Sequence, residues 1–194
     1  VGRSNVLRRF IRTAEMMGRA ESLDSLTGAN IIYSCMQVAD IFMLGANITQ
    51  LGLDQRKVNM LAREVGPQLG FWKPVVVSHH MLMGLTKPTD KSADKTNQTI
   101  ERKMSKSLPD SAIFMTDTRT DLERKIGKAF CPPGQVEENP ILEYCRYIIF
   151  EKFPQIEIKR EEKYGGSVTI KNNDELTKFY AEGKIHPSDL KEAV

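Results

Sequence analysis

Apolar positions recur at helical spacing in Asn5-Val6-Leu7-Arg8-Arg9-Phe10-Ile11-Arg12, which predicts a helix at the start of the chain. Residues 27 to 80 then alternate helical and extended patterns, the βαβ rhythm of a parallel sheet covered by helices. Gly28-Ala29-Asn30 opens a helix running to about Leu44, Ala46 to Leu51 reads as a short strand, and Gly52 reads as a turn. Asp54 to Glu64 follows as a helix that Asp54 can cap. The β-branched run Pro74-Val75-Val76-Val77-Ser78 predicts a second, buried strand.

Thr86 to Arg102 is rich in Lys, Asp, Thr, Ser and Asn and nearly devoid of apolar residues, so it cannot offset its own ordering entropy and is expected to be mobile. The pattern changes after Asp117. A helix is predicted over Asp121 to Phe130, a break at Cys131-Pro132-Pro133-Gly134, and a second helix from about Pro140 to Phe150. Ile156 to Arg160 and Ser167 to Lys171 alternate with period 2 around Tyr164-Gly165-Gly166, which predicts a small hairpin. Helices from about Asp174 to Ala181 and from Pro187 onward close the chain. The fold class is therefore α/β: a parallel-sheet domain over 1–118, then a mainly α-helical domain with a hairpin over 119–194. The chain opens without Met inside one helical pattern and stops inside another without a capping Gly, so it is expected to be part of a longer protein.

Composition narrows the class only slightly. A chain of 194 residues, 40% of them hydrophobic, can bury a real core. Its 28 Lys plus Arg against 25 Asp plus Glu leave +3, too little to argue for nucleic acid from net charge, so any basic surface is local. Cys35, Cys131 and Cys145 form no CxxC pair and read as reduced structural thiols. Without an apolar run of about 20 residues or an apolar signal core, a soluble, cytoplasmic protein is expected.

Three features carry chemistry. Tyr33, Gln37 and Asp40, four and three apart, fall on one stripe of a helix whose neighbours Ile32, Met36, Val38, Ile41 and Phe42 are apolar. In a mostly buried helix such a stripe is satisfied by protein partners or by a ligand with polar ends and an apolar middle, such as a free amino acid. Next, Leu51-Gly52-Leu53-Asp54-Gln55-Arg56-Lys57 lies where a strand ends and a helix begins, the place where open α/β sheets bind ligands, although many such turns merely cap helices. Finally, Lys103-Met104-Ser105-Lys106-Ser107 sets two lysines around hydroxyls, a pattern suited to polyphosphate and to negative charge that grows in a transition state.

In this order, Tyr33 to Gln37 with Ala39-Asp40-Ile41, Leu51 to Lys57, Asn59-Met60-Leu61-Ala62-Arg63-Glu64 and the KMSKS run resemble tyrosyl-tRNA synthetases of the archaeal and eukaryotic type, class I enzymes. Further on, Lys128 to Gly134, Asn139-Pro140-Ile141, Lys163-Tyr164-Gly165-Gly166 and His186 to Lys191 resemble that family's anticodon-binding domain. The resemblance implies a Rossmann-type catalytic domain that activates L-tyrosine with ATP and Mg²⁺ and passes the tyrosyl group to tRNA(Tyr). It implies that Asp40 accepts the substrate phenol hydroxyl, and that Tyr33, Gln37 and Gln55 hold the ammonium and neighbouring polar atoms. Gly52 and Asp54 approach the ribose, while Lys103, Met104, Ser105, Lys106 and Ser107 close over the triphosphate, the two lysines being the catalytic pair. Arg56 and Lys57 fall at the acceptor-stem contact; Tyr164 stacks on the first anticodon base and Asp189 hydrogen-bonds it. From the residues alone, Tyr164 also reads as a core tyrosine and Asp189 as a first-turn helix charge. A homodimer or pseudo-dimer is implied, with no protein-bound metal.

The family's upstream HIGH-type motif is absent, and His79-His80 follows a strand in the wrong order to replace it, so the isolated chain is expected to be inactive. Ser34 stands where the family commonly has proline. Two alternatives stay open: a catalytically silent synthetase-like half used for tRNA binding or dimerisation, and a tryptophanyl-tRNA synthetase, which Asp40 in the stripe disfavours.

Overall fold

Two helices of this chain begin on the same device. Thr27 accepts a hydrogen bond from the Asn30 backbone N–H while the Asn30 side chain accepts from the Thr27 N–H, a capping box that starts α2 (Gly28–Met43). Thr118 and Asp121 repeat it at the start of α4 (Arg119–Lys128). The computed structural model describes residues 1–4, 6–16, 27–87 and 104–194, which form two compact units, Val1–Met81 and Leu82–Val194. The polar segment expected to be mobile lies mostly outside the described residues. Among the described residues no helix is long and apolar enough to cross a membrane.

In the first unit, α1 (Leu7–Met16), α2 and α3 (Arg56–Gln68) enclose one core of Phe10, Val38, Ile41, Phe42, Val58, Leu61, Ala62 and Val65. The three- and four-residue spacings in that set are the buried stripes of amphipathic helices. Gly66 ends the α3 contact: a Cβ there would lie 2.5 Å from the Trp72 carbonyl oxygen and 3.0 Å from the Phe42 ring, so any larger residue forces backbone apart. β1 (Ile48–Gly52) pairs in parallel with β2 (Val75–His79), Ile48 opposite Val75 and Gly52 opposite His79. The expectation of a buried β2 is corrected: Val75, Val77 and His79 are exposed and Val76 and Ser78 only half-buried, so within this unit neither face of the strand is fully covered. The strand expected from Ala46 starts two residues later because Ala46 closes the preceding helix. With Gly45 at φ +66°, Gly45 N–H donates to Phe42 O and Ala46 N–H to Ile41 O, a Schellman ending. The helix expected from Asp54 begins at Arg56, after a 3-10 turn over Leu53–Gln55, and no side chain caps it.

The second unit packs α5 (Pro140–Tyr144), α6 (Asn173–Ala181) and α7 (Pro187–Ala193) with the hairpin β3 (Ile156–Ile158) and β4 (Val168–Ile170) around Ile141, Cys145, Ile158, Ile170, Leu176, Tyr180 and Leu190. Leu85 belongs to this core, and Leu82, Met104 and Ile113 pack against it. Asn139 caps α5 through Ile141 N–H and Leu142 N–H, with Pro140 pre-set for the first turn. The predicted second helix does run on past α5, but through a π turn over Cys145–Ile149 to Lys152.

Lys125 is the one buried charge of this core among the described residues. Its side chain is 3% exposed, and Nζ donates to Asp117 Oδ2 at 2.6 Å and to Ala112 O at 2.8 Å, 4.6 Å from the Phe114 ring centroid. The Lys125 bond, with the Phe114 N–H, holds the Asp117 carboxyl below the usual carboxylate range. Lys125→Met removes the cation and leaves the carboxylate, so the melting temperature is expected to fall by about 10 °C in a thermal scan at pH 7. A folded-state pKa below the unfolded one stabilises above about pH 4 and is lost as the pH falls through the lowered value. The gap between the two proteins therefore narrows below about pH 4.

Candidate functional site

α2 and the β1–α3 turn are joined by side chains. Gln37 Nε2 donates to Gln55 Oε1 at 3.0 Å, and Gln55 Nε2 donates to Asp54 Oδ2 at 3.1 Å. The stripe on α2 and the strand-end turn, 18 residues apart in sequence at this contact, thus share one polar network. The expectation of a mostly buried α2 is corrected. Ile32 is 57% and Met36 60% exposed, Tyr33 and Asp40 are exposed too, and the buried residues are Ser34, Val38, Ile41 and Phe42. α1 and α3 cover the face bearing Val38 and Ile41; the Tyr33–Gln37–Asp40 stripe lies on the open one. Ser34 is held on the covered side, its hydroxyl sharing a 2.8 Å hydrogen bond with Thr13 Oγ1.

Gly52 ends β1 opposite His79, at the end where a ligand meets a parallel pair. A Cβ on Gly52 would lie 2.7 Å from Asp54 Oδ1 and 2.9 Å from Met81 Sδ, so glycine lets the Asp54 carboxylate fold back over the strand end. Arg56 and Lys57 are exposed in the first turn of α3. Lys57 shares a depression of about 440 Å³ with Arg9, Arg12 and Thr13. The RRFIR pattern gave α1 its helix but no hint that its arginines sit beside Lys57.

In the second unit Lys106 sits at the tip of a turn closed by Leu108 N–H donating to Ser105 O at 3.2 Å. Ser105 Oγ and Ser107 Oγ share a hydrogen bond of 2.7 Å across it, and Lys106 and Ser107 are exposed. Met104 packs half-buried against the core, which roots the turn. Lys103 lies outside the described residues.

Tyr164 and Asp189 come together. With Arg160, Gly183, Lys184, His186 and Ser188 they line a cavity of about 370 Å³. Tyr164 is 64% exposed at the end of a 3-10 turn, which rules out a core role, and Gly165 at φ +93° turns the chain behind it. Lys163 Nζ lies 4.9 Å from the Tyr164 ring centroid. Asp189 stands in the first turn of α7, as a helix-start charge would. Arg160, one of the lining residues, ties two segments of the cavity wall together, donating from Nε to Gly166 O at 3.0 Å and from Nη1 to Lys184 O. Nothing in the sequence distinguished Arg160 from the neighbouring charges. Among the described residues no cluster of three or more His, Cys, Asp or Glu side chains could hold a metal.

A lysine-bearing KMSKS turn and a strand–Gly–helix turn are features of the class I aminoacyl-tRNA synthetases. The family model for tRNA synthetases class I (W and Y) matches residues 1–194, and the chain belongs to that family. Its similarity runs to the tyrosine branch. It is 46% identical to tyrosine–tRNA ligase 1, cytoplasmic, of Arabidopsis thaliana, a match covering 100% of this chain and 47% of that protein. The crystal structure of tyrosyl-tRNA synthetase complexed with L-tyrosine from Pyrococcus horikoshii superposes with a TM-score of 0.84 at 39% identity, covering 99% of this chain and 55% of that one. Tryptophanyl-tRNA synthetase from Aeropyrum pernix shares the fold alone, with a TM-score of 0.55 at 19% identity over 95% of this chain and 50% of that one. The chain thus spans about half the length of these relatives.

Proposed function

We propose that the protein is a tyrosine–tRNA ligase, with a Rossmann-type catalytic domain over 1–118 and an anticodon-binding domain over 119–194. The observation that carries this reading is the Gln37–Gln55 bond, which unites the polar stripe with the strand-end turn in a chain whose relatives are tyrosine ligases. The substrate carboxylate attacks the α-phosphorus of ATP, tyrosyl-adenylate forms and pyrophosphate leaves. A terminal ribose hydroxyl of tRNA(Tyr) then attacks the tyrosyl carbonyl and AMP leaves. The nucleophile of the first step is already ionised, so no lysine need act as a base; positioning and charge supply the rate.

Asp40 accepts the phenol hydroxyl. Tyr33, Gln37 and Gln55 hold the ammonium, while Gly52 and Asp54 take the ribose. Lys103 and Lys106, with Met104, Ser105 and Ser107, take the triphosphate, which arrives with Mg²⁺ as part of the substrate. The open stripe, with apolar Ile32 and Met36 beside its polar groups, suits an amphipathic amino acid. Arg56 and Lys57 contact the acceptor stem, and the cation group they share with Arg9 and Arg12 supports that role. The protein is proposed to work in the cytoplasm as a homodimer or pseudo-dimer.

The exposed Tyr164 ring and Asp189, which line the same cavity, suit a single-stranded base, stacked and read at its edge. In charging assays on the full-length protein, Tyr164→Ala is expected to raise KM for tRNA(Tyr) about 10- to 100-fold, the worth of one stacked base. An unchanged KM would remove Tyr164 from the interface.

A further inference from the structure

We propose that Ser111 is the positioning residue of the Ser105–Leu108 turn, the side chain that fixes where Lys106 is presented. This rests on the reading that the turn meets the triphosphate. Ser111 is 2% exposed, inside a 3-10 turn over Pro109–Ser111. Its hydroxyl accepts from Ser105 N–H at 3.1 Å and donates to Leu108 O at 2.7 Å. A hydroxyl has one hydrogen and two lone pairs, so it cannot also donate to Ser105 O, which lies 3.5 Å away. The two ends of the turn are thus joined twice, directly by Leu108 N–H to Ser105 O and through the Ser111 hydroxyl.

Ser111 ties the turn to the rest of its unit. Its N–H donates to Leu108 O at 2.8 Å, and its carbonyl accepts from the N–H of buried Leu85 at 2.9 Å. Leu85 O in turn accepts from Phe130 N–H at 2.7 Å, just beyond the end of α4. Ala112, next to Ser111, gives its carbonyl to Lys125 Nζ in the last turn of the same helix. An exposed, flexible lysine is therefore carried on a backbone anchored along two lines to α4. Catalysis by a fixed charge depends on such placement, and a shift of about 1 Å can cost up to about 10²-fold in rate.

Tyrosine-dependent ATP–pyrophosphate exchange by the full-length protein tests this with Ser111→Ala, Ser111→Cys and, as control, Lys106→Ala. Ser111→Ala is expected to lower kcat about 10- to 100-fold with KM for tyrosine unmoved. Ser111→Cys, a weak donor and acceptor of similar size, is expected between alanine and serine. The proposal is overturned if folded Ser111→Ala keeps the unsubstituted kcat while Lys106→Ala loses it. If Lys106→Ala also keeps it, the triphosphate reading of the turn fails. Loss of the folded state or of tRNA binding in both Ser111 variants also overturns it, since the hydroxyl would then hold the whole unit rather than the turn.

Discussion

Asp40→Ala is expected to lower kcat/KM for tyrosine in ATP–pyrophosphate exchange about 10- to 100-fold, the worth of a hydrogen bond to a charged acceptor. The loss should fall on tyrosine and spare phenylalanine, which has no hydroxyl to offer. A site whose acceptor is left unpaired by the wrong substrate separates the two by about 10⁴- to 10⁵-fold, a range already known for tyrosine-selective synthetases. The variant should narrow that ratio by the same factor it loses on tyrosine. Steady-state exchange with each amino acid checks both numbers. A variant that lost tyrosine and phenylalanine equally would show Asp40 holding α2 rather than reading the phenol. The geometry favours the first outcome: Asp40 lies on the open face of α2, while the residues that hold the helix are Ser34, Val38, Ile41 and Phe42.

Lys106→Ala is expected to lower kcat of exchange about 10²- to 10³-fold, with KM for tyrosine little changed. As pyrophosphate leaves, negative charge grows on its oxygens, and a cation already in place gains strength in the transition state at no cost of reorganisation. Lys106 stands at the tip of a turn closed on both sides, an arrangement that presents charge without burying it. Arginine at the same position keeps the charge in a wider, planar shape, so Lys106→Arg should recover only part of the rate. Equal kcat in all three proteins would take the turn out of the chemistry.

Asp40 and Lys106 stood out in the sequence because of their neighbours: polar groups four and three apart on an otherwise apolar helix, and two lysines around serines. Both side chains are exposed in the structure, Asp40 on α2 and Lys106 on its turn. The existence of helices α2 and α4, of the β-branched strand β2 and of the short hairpin was legible because each rests on local chemistry, although α4 starts two residues earlier than its pattern suggested and β2 is more exposed than a β-branched run implied. What stayed hidden depends on contacts across the chain. β1 starts late because Ala46 is used to close α2, a choice that rests on Gly45 taking a positive φ. Lys125 reads as an ordinary solvent-facing helix charge until Asp117 and Ala112 are seen to converge on it. The apolar residues beside the Tyr33 stripe suggested burial, yet packing by α1 and α3 covers only the other side of α2. Arg160 and Ser111 act through backbone carbonyls and amides, which carry no sequence signal.

The central claim is tested most directly by ATP–pyrophosphate exchange on the unsubstituted full-length protein, with tyrosine, phenylalanine and tryptophan offered separately. Exchange driven by tyrosine alone is the predicted result. Exchange driven by tryptophan, or none with any of the three from a folded protein that binds tRNA, would contradict it.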